Sequence, residues 1–176
     1  ALDMGLRYAV VTSVTRDDLP DGGARCFAET AAALRSTVPG IRIEVLTPDF
    51  KGDPASLETV ARSRPDVINH NLETVERLFP ALRPRGDYRL SLEVLRRFRG
   101  LSDGAPVKSG LMLGLGETGP DLEKALEDLR GAGVVMLTLG QYLRPTRNHA
   151  PVVRYVTPEE FRRWEETALE MGFESV

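Results

Sequence analysis

Five short apolar runs alternate with stretches whose apolar residues recur at helical spacing, and no other feature of the chain limits its fold so strongly. LRYAVVTSV (from Leu6), IRIEVLT (from Ile41), PDVINHN (from Pro65), VKSGLMLG (from Val107) and VVMLTLG (from Val134) read as strands. Several lack the period-two pattern of a half-exposed strand, as expected of strands buried on both faces. Between them FAETAAALRSTV, SLETVARS, SLEVLRRFRG and DLEKALEDLRGAG carry helical periodicity, and several end on glycine. TPEEFRRWEETALEMGF predicts a final helix with Thr157 as N-cap, Pro158 at its first position and Glu160 completing a capping box. Strands joined through helices run parallel, because the crossover returns the chain to the same end of the sheet.

The ends of the chain refine this picture. ALDMG at the start reads as the tail of a helix, and FESV at the end reads as a strand beginning. The expected fold is therefore α/β, a partial (β/α) TIM-type barrel with parallel strands, truncated at both ends and forming one domain over residues 1–176.

With 23 Lys and Arg against 26 Asp and Glu, the net charge of -3 offers no global basic field for nucleic acid or an anionic membrane, and neither is expected as a partner. No apolar run approaches the roughly 20 residues that span a bilayer, and the first residues lack the order of a signal peptide, so the expected address is cytoplasmic. The single cysteine, Cys26, cannot form an internal disulfide, a zinc site of paired cysteines or the nest of an iron–sulfur cluster, so no metal site is expected within this chain. Cys26 falls in the first turn of a helix and is expected to be a small core residue.

In parallel α/β architectures ligands gather at the carboxyl ends of the strands. There the chain carries Thr12, Ser13 and Val14 running into an aspartate loop, then Thr47–Asp49, then Asn69–Glu73, then Gly114–Glu117, and finally Gly140–Tyr142. Each cluster has an ordinary structural reading. The aspartates and glycines of DDLPDGG suit a capped turn, and LGLGETGPD suits a tight turn into a capped helix. INHNLET is harder to explain as structure alone, since two amides, an imidazole and a carboxylate at the end of a buried strand each need a partner. Asn71 and Glu73, two apart on a strand-like segment, would point the same way and suit a ribose diol. His70 would face the other side in a structural role. Lys108, near the start of its strand, leaves open a Schiff-base aldolase, although such a lysine should sit deep or toward the carboxyl end. A non-catalytic fragment whose open sheet edges pair with a partner is a further reading.

VVTSVTRDDLPDGGA, EVLTPDFKGD, PDVINHNLETV, RPRGDY, KSGLMLGLGET, LTLGQYLRPTRNHAPVVRYVTPEEF and GFESV, in this order, resemble the lipoyl synthase family of radical S-adenosylmethionine (SAM) enzymes. NHNLET and SGLMLGLGET resemble the wider superfamily, whereas DDLPDGGA and GQYLRPTRNH narrow the resemblance to lipoyl synthase. The resemblance implies insertion of two sulfur atoms into an octanoyl chain carried on a lipoyl carrier protein. It implies SAM and two [4Fe–4S] clusters as cofactors, one cluster generating a 5′-deoxyadenosyl radical and the other giving up sulfur. It assigns Thr12, Ser13 and Val14 to the methionine end of the cofactor, Asn71 and Glu73 to the ribose, Gly114, Gly116 and Glu117 to the adenosine, and Gln141 and Tyr142 to the adenine. Arg16, Asp17, Asp18 and Arg147 fall on the substrate or cluster side, and Lys108 and Ser109 on the cofactor side. The family's CxxxCxxC motif, its auxiliary-cluster cysteines and its serine-containing tail are absent, so no catalytic residue is identifiable here, and the chain by itself is expected to be inactive.

Overall fold

A computed structural model describes residues 1–176. The strands are β1 (Tyr8–Thr12), β2 (Arg42–Leu46), β3 (Val67–Asn69), β4 (Val107–Leu113) and β5 (Met136–Gln141). The helices are α1 (Ala24–Thr37), α2 (Pro54–Arg62), α3 (Phe79–Leu82), α4 (Tyr88–Leu101), α5 (Gly119–Gly131) and α6 (Pro158–Glu170). The strands lie in one sheet in the order β1-β2-β3-β4-β5. The β1–β2, β2–β3 and β4–β5 ladders are parallel, as βαβ crossovers require. The chain divides into two compact units, Ala1–His70 with Glu93–Val107 and Asn71–Leu92 with Lys108–Val176.

In the first unit, α1 buries Ala24, Phe27 and Ala31, spaced to fall on one helical face. Cys26 lies one position off that stripe. A step of about 100° per residue turns it outward, so the thiol is exposed rather than in the core as expected. Phe27 meets Phe50 edge to face, with ring centroids 6.1 Å apart. Ile43 and Val45 of β2 and Leu57 and Val60 of α2 are fully buried around them. β1 shows the period-two pattern of a half-exposed strand. Its side chains alternate between exposed and half-buried, because it stands at one end of the sheet order with a single neighbouring strand. The buried Glu44 carboxylate accepts from the Tyr8 hydroxyl at 2.6 Å and from Asn69 Nδ2 at 2.8 Å. Burial, then this carboxylate, pushes the Tyr8 phenol well above its ordinary pKa. The His70 ring, also buried, hydrogen-bonds the Thr47 carbonyl at 2.9 Å, and since a carbonyl only accepts, Nδ1 carries the proton.

In the second unit, Leu122, Ala125, Leu126 and Leu129 form the buried stripe of α5. Both α5 and α6 begin with a complete capping box, Thr118 with Asp121 and Thr157 with Glu160. The closing FESV does run as a strand begins, with Ser175 bridging in parallel to Met136 of β5. Ala1–Gly5 forms a turn closed by the Gly5 amide on the Leu2 carbonyl at 2.9 Å, not a regular helix end.

Candidate functional site

β3 ends at Asn69, and the chain leaves it through His70–Leu72 to a residue with unusual backbone. Glu73 has φ 73°, a left-handed conformation that costs a non-glycine residue about 1–3 kcal/mol and persists only where the surroundings impose it. Two hydrogen bonds to β4 impose it here. The Glu73 amide donates to the Gly110 carbonyl at 2.9 Å, and the Met112 amide donates to the Glu73 carbonyl at 2.8 Å. The side chain is thereby carried to Arg83, whose Nη1 lies 3.3 Å from Oε1.

Arg83 is itself held by a short aromatic stack. Its guanidinium sits 6.0 Å from the centroid of Phe79, and Phe79 meets Tyr88 edge to face at 5.6 Å. The Tyr88 hydroxyl donates to Asp128 at 3.1 Å. Burial, then that carboxylate, raises the phenol far above its usual range, so it stays protonated as a donor.

These groups line a cavity of about 400 Å³, within the size of small-molecule sites, whose walls include Thr74, Met112, Leu115, Tyr142 and His149. Thr74 is 2% exposed and its Oγ1 has no hydrogen-bond partner. A buried hydroxyl left unpaired beside a cavity is a cost that a bound ligand can repay. Tyr142 stands on the opposite kind of footing, its hydroxyl donating to the Ala150 carbonyl at 2.9 Å and its amide to the Leu113 carbonyl at 2.8 Å.

The loop after β4 shapes the wall rather than offering donors. Glu117 accepts from the amides of Gly114 at 2.7 Å and Leu115 at 2.9 Å, so the amides that could cradle an anion are already satisfied. Gly114 has φ 96°, and a Cβ there would stand 2.4 Å from the Arg154 carbonyl oxygen and 2.5 Å from Gln141 Nε2. Gln141 spends its amide on the chain that follows: Oε1 accepts from the Val156 amide at 2.8 Å, and Nε2 donates to the Tyr142 carbonyl at 2.9 Å. Gly116 also has positive φ, at 101°.

Other expected residues sit elsewhere in their units. Asn71 and Glu73 do not share the extended strand on which their pairing was argued, since β3 stops at Asn69 and Glu73 is left-handed. Asn71 Oδ1 instead lies over Gly110, 2.8 Å from where a Cβ would project. Ser109 is fully buried and accepts from the Leu72 amide at 3.1 Å. Lys108 is half-buried at the second position of β4, about 16 Å along the strand from Leu113 at about 3.3 Å per residue, at the wrong end for a Schiff base facing this cavity. Arg147 is exposed on the loop after β5.

In the first unit Thr12, Ser13 and Arg16 line a separate groove of about 90 Å³ with Cys26, and Val14 is 77% exposed. The carboxylates of the aspartate loop are all engaged. Asp18 takes a bidentate contact from Arg16 at 2.7 and 2.6 Å, Asp17 pairs with Lys51 at 3.1 Å, and Asp21 accepts from the amides of Gly23 at 3.0 Å and Arg25 at 2.8 Å. Arg83, Thr74 and His149 escaped the reading of the sequence. Arg83 opens the RPRGDY stretch that carries part of the resemblance, which was the available signal.

The model of the Radical SAM superfamily matches residues 1–129. The chain belongs to the radical SAM superfamily. It is 57% identical over 173 residues to the lipoyl synthase of Rubrobacter xylanophilus, covering 98% of this chain and 54% of that protein. It is 58% identical over 172 residues to the lipoyl synthase of Methylococcus capsulatus, covering 97% of this chain and 53% of that one. The chain thus spans about half the length of the curated relatives it matches. Among solved structures it resembles HydG, a maturase of the [FeFe]-hydrogenase, with TM-score 0.72 at 17% identity over 97% of this chain and 40% of that one. It also resembles methylornithine synthase (PylB), with TM-score 0.66 at 16% identity over 86% of this chain and 43% of that one. At such identities the likeness shows the fold, the partial (β/α) barrel expected from the alternation of elements.

Radical SAM membership implies SAM and an iron–sulfur cluster, and the residues present fit the two unequally. The cavity, with its orphaned hydroxyl and its one carboxylate beside a guanidinium, has the size and polarity for a nucleoside bearing charged groups. For a cluster the residues do not fit: Cys26 is the single cysteine, and no group of three or more His, Cys, Asp or Glu is placed to hold a metal ion. No helix is long and apolar enough to cross a membrane.

Proposed function

We propose that the chain is a barrel portion of a cytoplasmic lipoyl synthase, which inserts two sulfur atoms into the octanoyl chain of a lipoyl carrier protein using SAM and two [4Fe–4S] clusters. The observation that carries this reading is the identity of 57% and 58% to lipoyl synthases along 98% and 97% of the chain. When bound, the cofactors supply the radical that removes hydrogen from the acyl chain and the sulfur that replaces it. The cluster ligands belong to parts of the parent protein other than these residues, so the chain alone is inactive and takes up no stoichiometric cluster.

The contribution of this chain is binding and shelter. Glu73 is the acceptor for ligand hydroxyls, and it is released to them when Arg83 turns to a ligand anion, since a guanidinium serves either carboxylate equally well. Thr74 Oγ1 supplies a further polar contact. Met112, Leu115 and Tyr142 exclude water from the reacting carbon, which protects a radical from the wrong hydrogen donors. The assignment of Thr12, Ser13 and Val14 to the methionine end, and of Asn71 to the ribose, rests on the resemblance alone.

A chimera tests the reading. Residues 1–176 replace the matching segment of the Rubrobacter xylanophilus enzyme, and octanoylated lipoyl carrier domain is assayed for lipoyl product by mass spectrometry. Product at no less than a tenth of the parental rate is expected, and Glu73→Gln in the chimera should cost at least tenfold. A folded, cluster-loaded chimera that makes no lipoyl product overturns the reading.

A further inference from the structure

The loop between β5 and α6 runs against the charge of the rest of the molecule. No Asp or Glu occurs from Leu129 to Pro158 in a chain of net charge -3, while Arg144, Arg147 and Arg154 all fall within that span. Arg154 is neutralised by Glu160 at 2.8 and 3.0 Å, which leaves Arg144 and Arg147 as the exposed cations of the loop. Beside them Leu143, Val153 and Tyr155 are 66%, 60% and 70% exposed. Apolar groups of this size that remain in solvent next to arginine have the composition of an interface centre.

The loop is also built to keep its shape. The Val153 amide donates to the Gly114 carbonyl at 2.8 Å, and the Val156 amide donates to Gln141. Arg144 Nε donates to the His149 carbonyl at 2.9 Å while its Nη2 donates to the Arg147 carbonyl. Thr146 Oγ1 and His149 Nδ1 share a hydrogen bond at 2.8 Å. A pre-formed loop loses little conformational freedom on binding, so its contacts convert more fully into affinity. Leu143, Pro145 and His149 belong at once to this loop and to the wall of the 400 Å³ cavity. A partner seated on the loop therefore stands at the cavity mouth.

We infer that the Leu143–Tyr155 loop is the docking surface for an acidic protein domain that presents its acylated lysine to the cavity. The occupant is set by charge complementarity: Arg144 and Arg147 seek carboxylates, and Leu143 and Tyr155 seek apolar cover. This inference rests on the lipoyl synthase reading for the identity of that domain as the octanoylated lipoyl carrier.

Biolayer interferometry of the 176-residue chain against an immobilised, octanoylated lipoyl carrier domain of net negative charge tests it. The chain is expected to bind, with affinity falling several-fold as salt rises from about 0.05 to about 0.3 M. Arg147→Glu combined with Tyr155→Ser, neither being in the cavity wall, should weaken binding at least tenfold with an unchanged circular dichroism melt. Arg62→Glu on α2 should leave binding within twofold. Equal binding by the double variant overturns the inference, as does equal affinity for an acidic protein that is not a carrier. A dimer of the chain that the double variant abolishes also overturns it, because the loop would then be covered by a second copy. SAM binding to the same samples separates the two levels. A chain that binds SAM in a Glu73-dependent way but ignores the carrier loses the docking surface and keeps the functional reading; a chain that binds neither loses both.

Discussion

The loop after β1 and the cavity beside Glu73 are both polar segments at strand ends, yet they are finished differently. In the aspartate loop each carboxylate has its partner: Asp17 has Lys51, Asp18 has Arg16, and Asp21 has two amides. The groove beside it is about 90 Å³. In the cavity, of about 400 Å³, Thr74 Oγ1 is unpaired, Glu73 is held in a strained backbone, and Arg83 is a partner that a ligand anion can take over. Polar density is the same signal in both places. What separates a turn from a binding wall is what remains unsatisfied once the fold is complete.

Glycine substitutions should show the largest difference. Gly114→Ala forces a Cβ to 2.4 Å from a backbone oxygen at φ 96°, where no side-chain rotation gives relief. A loss of about 2–5 kcal/mol is expected, read from the urea midpoint at constant slope, with ligand binding lost as Arg154 and Gln141 are displaced. Gly22→Ala at φ 59° meets the edge of the Phe50 ring at 2.9 Å, a side chain that can shift. About 1–3 kcal/mol is expected there. A larger loss at Gly22 than at Gly114 would reverse the ranking of the two walls.

These contrasts also mark what could be read in the sequence. The alternation of elements, the capped start of α5 and the capping box of α6 are local, and each appears where its residues placed it. The failures are non-local or a matter of phase. Cys26 is expected inward from its residue type, but the stripe through Phe27 turns it out by one helical step. The two-residue spacing of Asn71 and Glu73 suggests an extended strand, but hydrogen bonds exchanged with β4, over 30 residues later, hold Glu73 left-handed. The resemblance assigns Gln141 to the adenine, whereas the chain returning at Val156 occupies its side-chain oxygen. Arg83 caps the end of a four-residue helix that carries no periodic signal, and only the fold brings it to Glu73.

The unpaired hydroxyl gives a prediction of opposite sign in the two regions. Thr74→Val keeps the shape and removes a group that is buried without a partner, so the ligand-free chain should gain about 1 kcal/mol while SAM binds more weakly. Asp21→Ala removes the acceptor of the Gly23 and Arg25 amides at the start of α1 and should lose about 1 kcal/mol, with SAM binding unchanged. Thermal melts with and without SAM read both. If Thr74→Val destabilises the free chain, the hydroxyl is satisfied by water and the contrast between the regions narrows.

The smallest effect is on acid stability, and it belongs to the aspartate loop. The Arg16 guanidinium holds the Asp18 carboxyl below its ordinary pKa, and the amides of Arg25 and Gly23 do the same for Asp21. Because both folded values lie below the unfolded value of about 3.9, the unfolded chain binds protons first as pH falls. The stabilisation is thus fully present above that value and is lost as pH drops through the folded values. Solvent screening keeps it small, since both carboxyls stand near the surface. Carboxyl-carbon NMR titration should place Asp18 and Asp21 below an unperturbed aspartate. Asp18→Asn should flatten part of the acid limb of stability and leave the neutral plateau nearly unmoved, because solvent screens the pair. An Asp18 that titrates at the ordinary value would mean that Arg16 is not held by it, and Arg16 would then join Arg83 as a cation open to a ligand.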